Sequence, residues 1–323
     1  MPGEFEIIRR FFTHRPRQAV LGVGDDAALV RVKRGRELVT TTDMLVAGRH
    51  FRHDADPYWL GHKALAVNLS DLAAMGAEPR WVLLALALPR ADVRWLAQFA
   101  SGFLALARRH RTDLIGGDTT RGPLNICVQA MGEVPHGSAL RRDGARAGDD
   151  VWVSGTLGDA ALAVAAHQGR LRLTRAEFAH CEAKLDRPQP RIALGRALCG
   201  LARSAIDISD GLVADLGHIC ERSRVAAKIE LAALPTSAVM QRHLPSRTAR
   251  EALLAGGDDY ELCFTAPRSA RSAIERMARR LRTRISLVGR IVRARRGMPR
   301  VSVLGPDGSA LRMRRGGYDH FGS

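Results

Sequence analysis

The chain has 323 residues, of which 46% are hydrophobic and 26% are charged, and this composition indicates a folded protein with room for two domains. The formal net charge is +17, yet no zinc-finger spacing or aromatic interleaving accompanies the basic residues, so nucleic-acid binding is disfavoured. The longest strongly apolar run, residues 81–88, is too short to span a bilayer, and the N-terminus lacks a secretory signal, so we expect no membrane association and a cytoplasmic location.

Apolar runs typical of strands alternate with helical stretches along the chain. The predicted strands cover residues 26–32, 37–45, 80–88, 124–134, 150–155, 226–234, 260–266 and 285–292. The predicted helices cover residues 57–75, 91–110, 158–168, 190–202, 211–223, 247–255 and 268–282. The alternation predicts a mixed α/β (α+β) architecture. A Gly-, Arg- and Asp-rich segment at 135–150 marks a boundary between a domain at 1–137 and a domain at 149–323.

The helix predicted over 57–75 carries an aspartate on its apolar face. Asp56 is suited to cap this helix, and Gly76 is suited to end it. Helical spacing places Asp71 on one stripe with Leu60, Ala64, Val67 and Ala74. Either Asp71 lies at the edge of the stripe in water, or it faces an enclosed site that supplies its counter-charge.

Seven aspartates lie among small or apolar residues beside predicted strand ends and helix starts. They are Asp25, Asp26, Asp43, Asp71, Asp118, Asp207 and Asp210. Each one alone is typical of a cap or a turn, but the group together requires a counter-charge, and Mg²⁺ prefers such oxygen ligands. Glycines at 22, 24, 116 and 117 would let backbone N–H groups approach phosphate oxygens. The chain has neither a Walker-type loop nor the protein-kinase motifs, so the residues alone predict a magnesium-dependent enzyme that handles phosphates.

Seven motifs in fixed order resemble those of the thiamine-monophosphate kinase family, which belongs to the superfamily of aminoimidazole ribonucleotide synthetase and selenophosphate synthetase. These motifs are GVGDDAAL, TTDMLVAGRHF, KALAVNLSDLAAMGA, LIGGDTTRGPL, SAIDISDGL, GGDDYELCF and GYDHF. The resemblance implies a direct, in-line transfer of phosphate from ATP to thiamine monophosphate, the last step of thiamine diphosphate biosynthesis. It also implies several Mg²⁺ ions and a homodimer. The N-terminal α/β domain would bind ATP and Mg²⁺ and dimerise, and a C-terminal α/β domain of the aminoimidazole ribonucleotide synthetase type would complete the substrate site.

The resemblance also assigns roles to individual positions. The implied metal ligands are Asp26, Thr41, Asp43, Asp71, Asp118, Asp207 and Asp210, of which Asp26, Asp71 and Asp210 are the implied catalytic residues. The implied ATP contacts are Gly117, Asp118, Arg142 and Ser209, and the implied contacts to thiamine monophosphate are His50, Asp258 and Tyr318. The family usually has glutamate where Asp258 stands, which makes this contact a departure from the pattern.

Two other functions remain open on the sequence. A sister enzyme of the same superfamily would share the aspartates and ATP but use another acceptor. An RNA-binding protein that relies on its arginines would instead lose affinity steeply with salt and tolerate substitution of Asp71 and Asp210.

Overall fold

The protein is described by a computed structural model that covers residues 3–311 and Gly317, so that the predicted contact residue Tyr318 lies outside the described residues. The chain divides into two compact units. The first unit comprises the residues through Leu72 together with Ala77–Gly137, and the second comprises Ala73–Gly76 together with the residues from Ser138 onward. Within the described ranges, no helix has both the length and the apolar character needed to cross a membrane.

The first unit contains a four-stranded sheet with the strand order β1-β4-β2-β3. Its strands pair antiparallel except for β2 and β3, which are parallel. The elements are α1 (Glu4–Ile7), a π-helical turn (Ile8–Phe12), β1 (Arg36–Val46), α2 (Pro57–Ala74), β2 (Glu78–Leu88), α3 (Val93–Arg109), β3 (Asp113–Arg121) and β4 (Asn125–Pro135).

Helices α2 and α3 approach each other so closely that their backbones touch. A Cβ atom on Gly61 would lie 2.1 Å from the Phe99 carbonyl oxygen, and one on Gly102 would lie 1.8 Å from the Tyr58 carbonyl oxygen. Glycine is therefore required at this crossing for lack of space, although both residues are helical. As the sequence predicts, Asp56 begins α2 by accepting the Trp59 N–H at 3.1 Å, and Gly76 follows its end with φ +72°.

The second unit contains a six-stranded mixed sheet with the strand order β10-β7-β9-β5-β8-β6. Its strands are β5 (Asp150–Ser154), β6 (Ser204–Asp207), β7 (Val225–Glu230), β8 (Leu262–Ala266), β9 (Ile285–Arg293) and β10 (Val301–Leu304). Its helices are α4 (Asp159–His167), α5 (Arg175–Asp186), α6 (Ile192–Leu198), α7 (Leu212–Ser223), α8 (Ala238–His243), α9 (Arg247–Ala255) and α10 (Arg271–Leu281).

One face of this second sheet supplies the main core of its unit. Val151, Val153, Ile206 and Cys263 are buried there together with residues of α4, α7 and α9. Helix α7 packs against β6, β7, β8 and β10. The short loop between β6 and α7 therefore lies where a buried strand ends and a buried helix begins.

The mixed α/β architecture predicted from the sequence is confirmed, whereas several predicted elements are wrong. Residues 26–32 do not form a strand, because Leu29 makes only an isolated bridge to Leu21 and is 54% exposed. Strand β3 was not predicted, since its consecutive glycines are typical of a loop. A Cβ at Gly117 would lie 1.8 Å from the Leu84 carbonyl oxygen, so glycine is needed here for close strand pairing.

Short or polar elements were also missed by the periodicity. These are β6, β10, α1, α5 and α8. Helix α5 has no clear apolar stripe, but its start is marked by a capping box in which Thr174 and Glu177 satisfy each other's backbone N–H groups. The predicted helix over 190–202 is shorter than expected, since α6 ends at Leu198.

Candidate active site

In the first unit, β1 and α2 bring three of the predicted site residues together. The Thr41 hydroxyl donates to the Asp71 carboxylate at 2.5 Å. The Asp43 backbone N–H donates to the side-chain oxygen of Asn68 at 3.1 Å, and the Asn68 amide in turn donates to the Ala64 carbonyl. Thr41 and Asp43 share one face of β1 because side chains alternate along a strand. Asp71 therefore faces a polar site on β1, which resolves the question that its position on an apolar stripe raised.

Asn68 is a site residue that the sequence analysis missed. Its side chain is fully buried, and it joins α2 to the strand that carries Asp43. The available signal was an amide on the apolar stripe of a helix, three residues before Asp71, so that both side chains reach the same neighbouring strand.

Asp118 lies apart from the group on β1. The sheet register aligns Asp43 with Val128, Leu84 and Gly117, whereas Asp118 is aligned with Ala85, Cys127 and Met44. Residues paired across strands point to the same face, so Asp118 points away from the face that carries Asp43. The three strand spacings between β1 and β3 amount to about 14 Å. Within one chain, the first unit therefore does not gather these two carboxylates around a common ion.

Asp26 lies on an exposed turn, where its backbone N–H donates to the side chain of Asp25 at 2.9 Å. The chain before this turn is attached to the first unit through Asp113, whose carboxylate accepts the backbone N–H groups of Arg17 and Gln18, each at 2.6 Å. The structure thus anchors the base of the segment while its acidic turn faces solvent.

His50 lies in a tight turn directly after β1. Its ring nitrogen Nδ1 accepts the Val46 N–H at 3.0 Å, and its own backbone N–H donates to the Val46 carbonyl. Because Nδ1 acts as an acceptor, the neutral ring carries its proton on Nε2. The turn therefore fixes both the orientation and the tautomer of the imidazole.

In the second unit, the loop from Ile206 to Gly211 carries the other predicted carboxylates. Asp207 ends β6 and is buried, and Asp210 is half-buried just before α7. The backbone N–H groups of Ser209, Asp210 and Gly211 all donate to one oxygen, Oδ2 of Asp215, at 3.0, 3.1 and 3.1 Å. Burial, and then the nearby charge of Asp210, raises the pKa of Asp215 to about 7. Asp215 is a second residue that the sequence analysis missed.

The segment from Gly256 to Glu261 is hydrogen-bonded to that loop. The Asp258 N–H donates to the Ser209 carbonyl at 2.9 Å, and the Tyr260 N–H donates to the Ile208 carbonyl at 2.8 Å. A Cβ at Gly257 would lie 2.2 Å from the same Ser209 carbonyl oxygen, so the two backbones touch. The structure therefore brings Asp258 beside Ser209 and Asp210.

Asp258 has a left-handed backbone conformation with φ +69°, and Tyr260 has one with φ +49°. Such conformations are uncommon outside glycine, and aspartate adopts them more readily than most residues. Aspartate is thus compatible with the backbone conformation at position 258.

Glu261 anchors this segment from the interior. Its carboxylate accepts the Ser154 hydroxyl at 2.5 Å and the Arg191 Nε–H at 2.6 Å, with a second bond from the Arg191 guanidinium to its other oxygen. The side chain of Glu261 is 6% exposed and that of Arg191 is 25% exposed. A bidentate pair of this kind holds the carboxylate in one orientation.

The structure also distinguishes two neighbouring arginines that the sequence could not separate. Arg141 donates to both oxygens of Asp143, at 3.0 and 2.6 Å, which lowers the pKa of that carboxyl. Arg142 is exposed, and among the described residues its guanidinium has no ion-pair partner. Arg142 is therefore the one whose charge is available to a ligand.

The donors in both units are compatible with magnesium. They are carboxylate and hydroxyl oxygens, the hard ligands that Mg²⁺ prefers. Across the described residues, no three His, Cys, Asp or Glu side chains converge closely enough to form a closed metal cage. Mg²⁺ commonly binds through one or two carboxylates, with water and substrate phosphates as its other ligands, so open groups such as these fit it.

Residues 24–134 match the AIR synthase related protein family, N-terminal domain, and residues 146–302 match the C-terminal domain of the same family. The thiamine-monophosphate kinase of Escherichia coli K12 is 45% identical over 323 residues, which are 99% of this chain and 98% of that protein. The chain belongs to the thiamine-monophosphate kinase family. The enzyme from Bacillus subtilis is 32% identical, with 93% of each chain covered.

Solved structures agree with this assignment. The crystal structure of the thiamine-monophosphate kinase from Stenotrophomonas maltophilia K279a has a TM-score of 0.83 and 48% sequence identity, and covers 91% of this chain and 92% of that one. AaThiL complexed with AMPPCP and TMP has a TM-score of 0.77 and 30% identity, and covers 90% of this chain and 89% of that one. The predicted two-domain fold class is thereby confirmed.

Proposed function

We infer that this protein transfers the γ-phosphoryl group of ATP to thiamine monophosphate and thereby forms thiamine diphosphate and ADP. Family membership and the likeness to a complex with AMPPCP and TMP support this reaction. The structural observation that carries the inference is the contact between the Ile206–Gly211 loop and the segment that follows Gly256. That contact joins the backbones of Ser209 and Asp258, and it supports the proposal because the resemblance assigns metal and nucleotide binding to the first segment and acceptor binding to the second.

Magnesium would be held by the oxygen ligands of each unit. In the first unit these are Asp26, Thr41, Asp43, Asp71 and Asp118, which would hold more than one ion because Asp43 and Asp118 lie on opposite faces of the sheet, and in the second they are Asp207 and Asp210. When bound, Mg²⁺ neutralises charge on the phosphates and orients them for in-line transfer. The acceptor is itself a phosphate oxygen and is nucleophilic near neutral pH. The chain therefore has to position and neutralise its substrates rather than supply a strong base, which is why we propose Asp26, Asp71 and Asp210 as catalytic through metal binding.

Nucleotide and acceptor contacts are assigned by the same reasoning. We propose that Gly117, Asp118, Arg142 and Ser209 contact ATP, and the guanidinium of Arg142, which has no ion-pair partner among the described residues, supports its part in this set. We propose that His50, Asp258 and Tyr318 contact thiamine monophosphate, with the imidazole of His50 donating from Nε2. In this scheme, residues 1–137 bind ATP and Mg²⁺ and form the dimer contact, and residues 149–323 complete the substrate site.

We further propose that the protein is a homodimer that acts in the cytoplasm, where ATP is available. The side chains on the outer face of β1 include Leu38 and Met44, which are 45% and 55% exposed. Apolar side chains on an open sheet face favour association with a second protein surface. Sedimentation at micromolar protein concentration would test the dimer, and substitution of Met44 by Lys should shift the protein toward the monomer.

The reaction is tested by a coupled assay of ADP release with Mg²⁺ and ATP, with and without thiamine monophosphate. We expect acceptor-dependent ADP release, formation of thiamine diphosphate, and loss of both in Asp210→Ala and after chelation of the metal. Folded wild-type protein that releases no ADP in response to the acceptor would refute the inference. The substrates of the sister enzymes would then be assayed.

A further inference from the structure

The backbone of the loop between β6 and α7 directs its N–H groups inward. The Ile208 N–H donates to the Glu261 carbonyl at 2.8 Å, and the next three N–H groups donate to Asp215. Four consecutive N–H groups, from Ile208 to Gly211, thus have partners inside the second unit. Consecutive N–H groups ahead of a helix often form an anion-binding nest, but here the carboxylate of Asp215 already takes that place.

Asp215 differs from an ordinary helix cap. A capping residue precedes its helix and accepts N–H groups from the first turn. Asp215 is instead the fourth residue of α7, its own N–H donates to the Gly211 carbonyl, and its side chain reaches back to three residues that precede the helix. Its acceptor oxygen therefore holds the loop rather than the end of the helix.

We propose that Asp215 is a positioning residue, which holds the Ser209–Gly211 backbone so that this loop presents side-chain oxygens to a cation and no N–H to a phosphate. Asp215 is 2% exposed, so it acts through the loop and not by contact with the substrate. Without it, three N–H groups would lose their acceptor, and the backbone that carries Asp210 would be free to rotate. The effect on cation binding rests on the proposed function, whereas the hydrogen bonds that hold the Ser209–Gly211 backbone do not.

Three variants separate the positioning role from other roles. Asp215→Ala removes the acceptor. Asp215→Asn keeps an oxygen that can accept the same three N–H groups but removes the charge. Ile219→Val lies on the same helix at a fully buried position and weakens the core without touching the loop, so it serves as the control for lost stability.

The first readout is hydrogen exchange of the full-length protein without substrate, followed over peptides that contain residues 208–212. We expect exchange of the Ser209–Gly211 amides to become about tenfold faster or more in Asp215→Ala, and to stay within about threefold of wild type in Asp215→Asn and Ile219→Val. Unchanged exchange in Asp215→Ala would overturn the proposal. This readout stands even if the protein phosphorylates nothing.

The second readout is the Mg²⁺ concentration that gives half-maximal turnover. We expect this concentration to rise about tenfold or more in Asp215→Ala, together with a loss of kcat, and to stay within about threefold in Asp215→Asn and Ile219→Val. If Asp215→Asn were as impaired as Asp215→Ala, the charge and not the acceptor would matter, and the proposal would fail. If Asp215→Ala does not fold, Asp215→Asn alone is compared with wild type. A change within about threefold supports the role of the acceptor oxygen, and a change of about tenfold or more contradicts it. If the wild-type protein showed no turnover, the proposed function would be contradicted. Hydrogen exchange would still test whether Asp215 holds the Ser209–Gly211 backbone.

Discussion

The carboxylates of the two units are held in different ways. In the first unit, Thr41 and Asp43 project from a regular strand and Asp71 projects from a regular helix, joined mainly by side-chain contacts. In the second unit, Asp207 and Asp210 border an irregular loop whose backbone is held by buried acceptors. Regular secondary structure orients side chains through its own hydrogen bonds, whereas a loop needs dedicated partners for its polar backbone.

This difference separates residues that present oxygens from residues that hold the backbone. Substitution of a presenting residue should affect turnover and leave stability nearly unchanged. Substitution of a buried anchor such as Glu261 or its partner Arg191 should affect stability as well, because it leaves a polar or charged group without its partner.

The largest expected effect is on turnover. We expect Asp71→Asn and Asp210→Asn each to lower kcat by about 10³-fold or more, since each removes a charged oxygen from the proposed magnesium ligands, which would neutralise the phosphates. Thermal unfolding should stay within about 2 °C of wild type. The exposed Asp54 provides the matched control as Asp54→Asn, which should keep full turnover. Retained turnover in either site variant would remove that residue from the proposed set.

The next effect is on the stability of the second unit. Arg191→Met leaves the buried Glu261 carboxylate with the Ser154 hydroxyl but without its charged partner, which should lower the free energy of unfolding by about 3–5 kcal/mol. Arg247→Met breaks an exposed ion pair with Glu251 on one face of α9. This substitution should change the free energy of unfolding by no more than about 0.5 kcal/mol. Urea unfolding followed by circular dichroism would measure both variants. Equal effects would contradict the anchoring role of Glu261.

A comparable but smaller effect tests the helix crossing in the first unit. Gly102→Ala places a methyl group 1.8 Å from the Tyr58 carbonyl oxygen and should destabilise this unit by about 2–3 kcal/mol. Gly217→Ala provides the control, because a Cβ there meets no atom of the described residues within 4 Å and alanine favours a helix by up to about 1 kcal/mol. Thermal unfolding of the two variants should therefore shift in opposite directions.

The smallest effect concerns acid stability of the first unit. Burial, then the charges of Arg109 and His62, lowers the pKa of His110 to about 4 from its ordinary value of 6.5. Between these values the unfolded chain binds a proton that the folded chain does not, so stability falls as the pH drops below 6.5. His110→Gln should recover about 1 kcal/mol at pH 5.5 and nothing at pH 8, relative to wild type. Urea unfolding at both values would show this, with His218→Gln as an exposed control.

Long elements with marked ends or strand-forming composition could be predicted from the sequence. Residues 57–75 predict α2 because Asp56 and Gly76 mark its two ends, and residues 37–45 and 80–88 predict β1 and β2 because they are apolar runs rich in strand-forming residues. Strand β3 could not be predicted, since its glycines are required by a neighbouring strand that local sequence does not reveal. The predicted strand at 26–32 failed because β propensity without a partner strand does not form a sheet.

The candidate site also has features that the sequence predicts and features that only the tertiary structure shows. The sequence by itself determined which residues are candidates for the chemistry, because carboxylates beside glycines in seven ordered motifs are a local and specific pattern. Only the tertiary structure decided which of them are neighbours: Thr41 with Asp71, Asp258 with Ser209, and Asp118 on the other face from Asp43. It also supplied Asn68, Asp215 and Glu261, whose partners lie on other elements or on backbone that the helix must first bring near. A hydrogen bond depends on distance and direction, and both are set by the packing of strands and helices rather than by the order of residues.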